Sequence, residues 1–277
     1  MSSTSAPPSA RGSALLQFFG AIGRALWSHW SEIIYATAVL GTAVSFIVRP
    51  HFWTRDVRKL FARQVMAMGM EPLLFVCSIA ALVGISVIVQ LSYWAGQSGQ
   101  SQLLGPALVT IVARELAPVL INFVVIVRSG SAMATELGVM KLNGEVDAMG
   151  AQGRDPFVEI VVPRVLGIAV STFCLTVVFI ITALLSGFVF AALLGKGSSD
   201  LFLFADSISR AMQFNEAMNI LGKSILPALF AGVSCCIGGL GVTGSVKAIP
   251  LATQRALTRS IAGLFIICSA ISFLAYL

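Results

Sequence analysis

Two adjacent charges inside an apolar stretch are the residues with the most distinctive chemistry. Arg114 and Glu115 lie near the middle of residues 103–127, which otherwise carry no charge. A charged side chain at the centre of a membrane helix is unfavourable by about 2.5–3.5 kcal/mol on insertion scales, so such residues mark polar pathways or protein contacts. Adjacent residues on a helix point about 100° apart, so the two charges do not neutralise one another along one face. The pair therefore predicts a polar cavity or a protein neighbour near the bilayer midplane.

The residues that follow extend this polar feature along the helix. Pro118 has no N–H group, which leaves the carbonyl of Arg114 without its helical donor and predicts a kink. Glu115, Asn122 and Ser129 recur at seven-residue spacing and share roughly one helical stripe. One interpretation is a polar clamp that only holds helices together. The other is a lining for a polar headgroup with apolar walls nearby for acyl chains.

Other candidate chemistry is weak. Gly222-Lys-Ser224 is similar to the end of a phosphate-binding loop, but Ala217 stands where that loop requires glycine, so we expect no nucleotide site. The five cysteines lie in apolar stretches without a metal-binding spacing, which favours small buried side chains over a metal site or disulfides. Both histidines, His29 and His51, lie in the N-terminal region. We therefore expect no enzyme active site, no metal and no cofactor.

The composition explains why so few residues could do chemistry. The chain has 277 residues, of which 57% are hydrophobic and 11% charged, and its mean hydropathy is +0.92. Soluble domains carry about 25% charged residues. Because one membrane crossing needs about 20 apolar residues, the sequence predicts an all-α polytopic membrane protein and excludes a water-soluble one.

The positions of the charges divide the chain into segments. Residues 1–20 are predicted to form a flexible N-terminus, 21–70 an interfacial or elbow helical region and 71–277 the membrane domain. The five predicted spans are residues 73–94, 103–127, 157–195, 224–246 and 260–277. Residues 33–48 are uncharged but reach only about 24 Å as a helix, which is short for a crossing. We interpret them as interfacial or re-entrant, with a sixth span as the alternative.

The distribution of Lys and Arg predicts the orientation. Fourteen of the 18 fall in residues 1–72, 128–164 and 247–259, whereas the opposite side receives three, Lys196, Arg210 and Lys223. Cytoplasmic loops of membrane proteins are rich in these residues. The N-terminus is thus predicted to be cytoplasmic and the C-terminus to lie on the opposite side. This asymmetry also accounts for the net charge of +6 without a nucleic-acid partner.

A short helix is predicted over about residues 141–150, in the cytoplasmic segment. Its apolar side chains are Leu142, Val146 and Met149, and its charged ones are Lys141, Glu145 and Asp147. This amphipathic pattern fits a solvated surface helix or a docking helix for a cytoplasmic partner. Asp155 and Pro156 then provide an N-cap and a first-turn proline for the next span.

Several separated motifs together resemble the MlaE/YrbE permease family. They are Arg114-Glu-Leu-Ala-Pro118, the run from Arg128 to Met140, Glu145-Val-Asp-Ala-Met149, Asp155-Pro156 and Val161-Val-Pro-Arg164, in order and at matching spacing. Gly84, Gln90, Gly239-Leu-Gly-Val-Thr-Gly244 and Ala252-Thr-Gln-Arg255 add to the resemblance, which covers roughly residues 70–277. Members of this family are membrane subunits of ABC transporters that work with MCE proteins on lipids.

The resemblance implies an assembly and a set of functional residues. It implies a homodimer in the bacterial inner membrane with a phospholipid cavity at the dimer interface, two separate ATPase subunits and a ring of MCE-domain protein on the periplasmic side. It implies that Arg114, Glu115 and Gln90 lie near the bound phospholipid. Together with Pro118 at the predicted kink and Asn122 on the polar stripe, they form the predicted lipid-binding or translocation set. The implied ATPase-coupling residues are Glu136, Lys141, Glu145, Asp147 and Met149.

Two other classes of function remain open from the sequence. A proton-coupled secondary transporter could use Glu115 as its titrating group. An intramembrane lipid-modifying enzyme is disfavoured, because neither paired carboxylates nor an activated nucleophile can be recognised within the spans.

Overall fold

A computed structural model describes Gly41 and residues 55–98, 109–193 and 214–276. These residues are almost entirely helical and contain no β-strand. We number the helices in chain order. They are α1 (Arg55–Met70), α2 (Leu73–Ser98), α3 (residues 109–142), α4 (Glu145–Ala151), α5 (residues 157–193), α6 (Phe214–Leu240) and α7 (Ile249–Tyr276).

Five helical stretches in the described part of the chain are long and apolar enough to cross a membrane: Arg58–Leu91, Thr110–Leu142, Phe157–Leu193, Glu216–Leu240 and Val246–Ala275. The predicted all-α polytopic fold is confirmed. Side chains such as Leu74, Leu185 and Phe273 are exposed on the outer faces of the bundle. Large apolar side chains in these positions are expected of surfaces that face lipid.

Helix α1 lies within the predicted elbow region and joins α2 through a turn at Glu71 and Pro72. It packs on the beginning of α5, where the Ser171 hydroxyl donates a hydrogen bond of 3.1 Å to the carbonyl of Val65. Gly167 makes room for this approach, because a Cβ atom there would lie 3.0 Å from the Cβ of Gln64. Residues 33–48, which were predicted to be interfacial or re-entrant with a sixth span as the alternative, lie outside the described residues apart from Gly41.

Helix α3 is longer than the span predicted over residues 103–127. It combines π-helical Val109–Leu116, α-helical Ala117–Val125, π-helical Ile126–Gly130 and α-helical Ser131–Leu142. The helix thus continues beyond the charge of Arg128 and reaches about 40 Å past Glu115 at roughly 1.5 Å per residue. Arg114 and Glu115 consequently lie toward the end opposite α4 and not at the middle of the described helix.

Helix α4 is reached through a left-handed turn at Gly144, whose φ of 75° favours glycine. At the beginning of α5, the backbone N–H of Phe157 donates to Asp155 Oδ1 at 3.0 Å, and Pro156 follows directly. The predicted cap by Asp155 is confirmed, and Pro156 stands immediately before the first residue of α5. They set the point at which the chain turns from α4 into a long membrane helix.

In the most apolar part of each candidate span, the share of buried residues is largest in α6, at 67%, and smallest in α7, at 22%. Close contact with α3 requires a small residue, because a Cβ atom on Gly239 would lie 2.5 Å from the carbonyl oxygen of Ala134. Small residues allow helix backbones to approach closely in lipid. Helix α6 therefore holds α3, α5 and α7 together and positions its polar residues against theirs.

Candidate functional site

A buried ammonium group and a half-exposed carboxylate form the centre of the site. Lys223 of α6 places its Nζ 2.7 Å from Glu115 Oε1 of α3. The Lys223 side chain is fully buried, whereas that of Glu115 is 43% exposed. Ser272 of α7 donates a longer hydrogen bond, 3.4 Å, to the other carboxylate oxygen of Glu115. Three membrane helices thus meet at one carboxylate.

Arg114 has a carboxylate partner of its own. Its Nη1 lies 2.9 Å from Glu216 Oε1, near the beginning of α6. Glu216 and Lys223 are seven residues apart and so share one face of α6, opposite Arg114 and Glu115. The four side chains form a charge cluster with no net charge, which meets the requirement that intramembrane charges be paired.

Two prolines leave backbone carbonyls that the facing helix satisfies. Pro118 cannot donate to the carbonyl of Arg114, which instead accepts from Lys223 Nζ at 3.3 Å. Pro227 lies inside α6 and cannot donate to the carbonyl of Lys223. That carbonyl accepts from Asn122 Nδ2 at 3.1 Å. Each helix therefore provides a side-chain donor for the carbonyl that proline leaves free in the other.

Asn122 is fully buried and is an interhelical clamp in this structure. Its Nδ2 also donates to the carbonyl of Pro118 at 2.8 Å, one turn earlier on its own helix. Two residues of the predicted stripe thus differ in their surroundings. Asn122 joins α3 to α6, whereas Glu115 is exposed enough to meet a ligand as well as Lys223.

Among the predicted lipid-site residues, the structure brings together Arg114, Glu115, Pro118 and Asn122. Gln90 lies on an exposed face of α2 and makes no hydrogen bond to the charge cluster within the described part of the chain. Its place in a lipid site stays a prediction.

Three members of the site were missed from the sequence: Lys223, Glu216 and Ser272. The predicted span began at residue 224 and left Lys223 in the preceding loop, whereas α6 begins at Phe214 and contains it. When the acidic partner of a lysine is unknown, a lysine beside an apolar stretch indicates the end of a membrane span. The available signal was the seven-residue spacing of Glu216 and Lys223, which offers opposite charges to both Arg114 and Glu115.

At the other end of α3, the predicted coupling residues surround α4. Lys141 Nζ lies 2.7 Å from Asp147 Oδ1 and ties α4 to the end of α3. Val146 and Met149 are half-buried against the bundle, whereas Glu145 and Asp147 are exposed. Helix α4 therefore presents an acidic outer face to any partner.

Glu136 connects this region to the membrane helices. It is exposed, yet its Oε1 lies 2.7 Å from Nη2 of Arg164, which is almost completely buried at the beginning of α5. The same guanidinium approaches the sulfur of Met140. The ion pair of Glu136 and Arg164 therefore joins this end of α3 to the beginning of α5.

The fold and the charge cluster define a multi-pass α-helical membrane protein with paired charges inside its helical bundle. The family model described as Permease MlaE matches residues 61–274. The chain belongs to the MlaE permease family, as its motifs indicated.

The chain is similar in sequence to named proteins of several organisms. It is 28% identical over 209 residues to a probable ABC transporter permease protein of Synechocystis sp., covering 76% of this chain and 79% of that protein. It is 29% identical over 192 residues to protein TRIGALACTOSYLDIACYLGLYCEROL 1, chloroplastic, of Arabidopsis thaliana, covering 68% and 53%. It is 26% identical over 183 residues to the intermembrane phospholipid transport system permease protein MlaE of Haemophilus influenzae, covering 65% and 63%.

Proposed function

We propose that this protein is the permease subunit of an ATP-driven ABC transporter that moves phospholipids between the bacterial inner membrane and an MCE-domain protein. The observation that carries the proposal is the family match across residues 61–274. This range includes all five candidate spans, apart from the first three residues of the first span and the final residue of the last. The name of the Haemophilus influenzae relative supplies the substrate class, and that of the Synechocystis relative the transporter class.

The charge cluster supports a role in moving a polar headgroup. A phospholipid that leaves its leaflet must carry its headgroup through a region where unpaired charge is unfavourable. Glu115 is partly exposed and keeps Oε1 on Lys223, so its carboxylate can meet a headgroup while the buried ammonium stays paired. Arg114 and Glu216 supply a second ion pair beside it.

The proposed orientation places α4 in the cytoplasm, the N-terminus on the same side and the C-terminus in the periplasm. Arg128, Lys141, Arg154 and Arg164 all belong to the segment around α4. With Lys223 buried in α6, the sequence leaves only Lys196 and Arg210 between α5 and α6 on the opposite side. The uneven distribution of Lys and Arg between the two sides supports this orientation.

The surfaces that the bundle leaves uncovered support the proposed partners. The acidic face of α4, with Glu145 and Asp147, is the proposed contact with a separate ATPase subunit, which supplies the ATP chemistry. Only 22% of the most apolar part of α7 is buried, which leaves the apolar face of this helix available for a second copy of the permease around a shared lipid cavity. An MCE-domain ring would stand on the side opposite α4.

Reconstitution tests the proposal directly. The permease and its ATPase subunits are placed in liposomes with a fluorescent phospholipid, and transfer to an MCE-domain acceptor is followed with and without ATP. We expect transfer that requires ATP and is lost when the ATPase carries an inactivating substitution. Transfer that continues without the ATPase subunits but stops when a proton gradient is dissipated would overturn the proposal in favour of a proton-coupled secondary transporter.

A further inference from the structure

An apolar groove on the outside of the bundle ends at a single arginine. It lies between α2 and α3 and has a volume of about 490 Å³, within the range of roughly 300–1,000 Å³ typical of small-molecule sites. Its walls include Phe75, Ile79, Phe123 and Val127, and the fully buried Phe179 is also in its lining. Among the residues that the structure describes, Arg128 is the one charged side chain that lines it.

We propose that this groove binds one phospholipid of the leaflet on the α4 side, with an acyl chain along the apolar walls and its phosphate on Arg128. The site is separate from the charge cluster of Arg114, Glu115, Glu216 and Lys223, which lies toward the opposite end of α3. The proposal requires that the helices cross a membrane. It does not require that the protein transports lipid.

The free hydrogen-bonding capacity of Arg128 supports a phosphate ligand. Its nearest acidic partner is Glu71, at the turn between α1 and α2, and the closest N–O distance is 3.7 Å. Charge-assisted hydrogen bonds are typically about 2.7–2.9 Å, so this ion pair leaves the guanidinium donors available. Both side chains are exposed, at 47% and 67%. A planar guanidinium matches the oxygen geometry of phosphate and can bind two of its oxygens at once.

The position of Arg128 supports a lipid over a free anion. The groove is open to the outer face of two membrane helices, where Phe75, Phe123 and Val127 are exposed to the surroundings of the bundle. In a bilayer those surroundings are hydrocarbon, and arginine at the end of an apolar segment extends to the headgroup level. Only an amphipathic molecule satisfies the apolar walls and the cation together.

Photo-crosslinking of the full-length chain in nanodiscs tests the site without ATP or partner subunits. The probe is phosphatidylglycerol with a diazirine in one acyl chain, and the control probe is diacylglycerol with the same chain but without phosphate. Labelling of the segment from Leu120 to Val127 is compared by mass spectrometry with that of Ile181 and Leu185, which are exposed on α5 outside the groove. We expect phosphatidylglycerol, but not diacylglycerol, to label the groove segment preferentially.

Variants assign this preference to the arginine. Arg128→Gln should reduce preferential labelling about tenfold, because hydrogen bonds to charged groups are among the stronger ones, and Arg128→Lys should retain part of it. Arg154→Gln, an exposed arginine outside the groove, should leave it unchanged. Inorganic phosphate in large excess should not displace the lipid. Equal labelling by the two probes, unchanged labelling in a folded Arg128→Gln chain, displacement by phosphate, or crosslinks from groove residues to a second copy of the chain would each overturn the proposal. Lipid transfer measured separately shows whether the proposed function holds.

Discussion

Asn122 Nδ2 lies 3.1 Å from the carbonyl oxygen of Lys223, which is the carbonyl that Pro227 cannot reach with a hydrogen bond. The complementary relationship links the Lys223 ammonium to the carbonyl of Arg114, which Pro118 leaves free. Backbone carbonyls without donors are unfavourable in a membrane interior. The prolines in α3 and α6 are therefore tolerated because each helix supplies a donor to the other, and the two helices are held in one register.

Removing the Asn122 amide should weaken this join by about 1 kcal/mol, the usual range for a hydrogen bond within a membrane protein. Asn122→Ala leaves the Lys223 carbonyl without a donor, and thermal unfolding in detergent should report the loss. Pro227→Ala restores a backbone N–H four residues after Lys223. We therefore expect Asn122→Ala to be less destabilising in a Pro227→Ala background than in the native one.

The matched control for this cycle is Ser131→Ala. Ser131 lies on the same helix but is only half-buried, and its hydroxyl donates to carbonyls one turn earlier on that helix. Its replacement should therefore change the unfolding temperature by much less. Additive effects of Asn122→Ala and Pro227→Ala would contradict the link between the amide and the proline.

The pair of Glu115 and Lys223 should respond asymmetrically to the loss of either partner. Glu115→Leu leaves a fully buried ammonium without its carboxylate and should destabilise the fold by up to about 3–5 kcal/mol. Lys223→Met leaves a carboxylate that is 43% exposed and should be better tolerated. The measurement is thermal unfolding of the two purified variants beside the native chain.

The double variant Glu115→Leu/Lys223→Met separates stability from transport. It removes both charges and should recover most of the stability lost in Glu115→Leu. Phospholipid transfer should stay impaired if the charges act on the headgroup. Full recovery of transfer together with stability would show that the pair is only a structural clamp.

The sequence predicted the helices better than the contacts between them. Apolar stretches bounded by charges locate the spans, because their length and composition are set by the bilayer. The charge of Arg128 marked the end of one span, yet α3 continues to Leu142 because helical hydrogen bonding does not stop where the apolar stretch does. Lys223 was misplaced for a related reason, since its burial depends on Glu115, more than a hundred residues away in the sequence.

The role of Asn122 could not be decided from its position on the stripe. A polar residue on a membrane helix is equally consistent with a clamp and with a ligand site until the facing residues are known. The contact with the Lys223 carbonyl depends on Pro227, because the crossing of α3 and α6 brings the amide to a carbonyl without a helical donor. The effect of Pro118 could be predicted from the sequence, because the carbonyl that it leaves without a donor lies on its own helix.

The close approach of α3 and α6 predicts a strong effect of a single methyl group. Gly239→Ala would place a Cβ atom 2.5 Å from the carbonyl oxygen of Ala134, and backbone cannot move aside as a flexible side chain can. Overpacking of this kind typically destabilises by about 1–3 kcal/mol. We expect a lower unfolding temperature for purified Gly239→Ala.

Gly150→Ala is the matched control, because a Cβ atom there would meet nothing within 4 Å. Alanine is favoured over glycine in a helix by up to about 1 kcal/mol, so this variant should be neutral or slightly stabilised. Equal effects at Gly239 and Gly150 would show that helix propensity, and not the contact with Ala134, determines the result.

The acidic face of α4 predicts where the proposed contact with the ATPase can be broken. Asp147→Arg reverses an exposed charge and places it near Lys141, so we expect co-purification of the ATPase to be lost while the chain still inserts into the membrane. The charge-swapped variant Lys141→Asp/Asp147→Arg keeps an ion pair between α3 and α4 but presents the opposite sign to the partner. If Asp147 contacts the ATPase, the swap should not restore co-purification, whereas recovery would assign Asp147 to positioning α4. Normal co-purification of the single variant Asp147→Arg would contradict a docking role for this face.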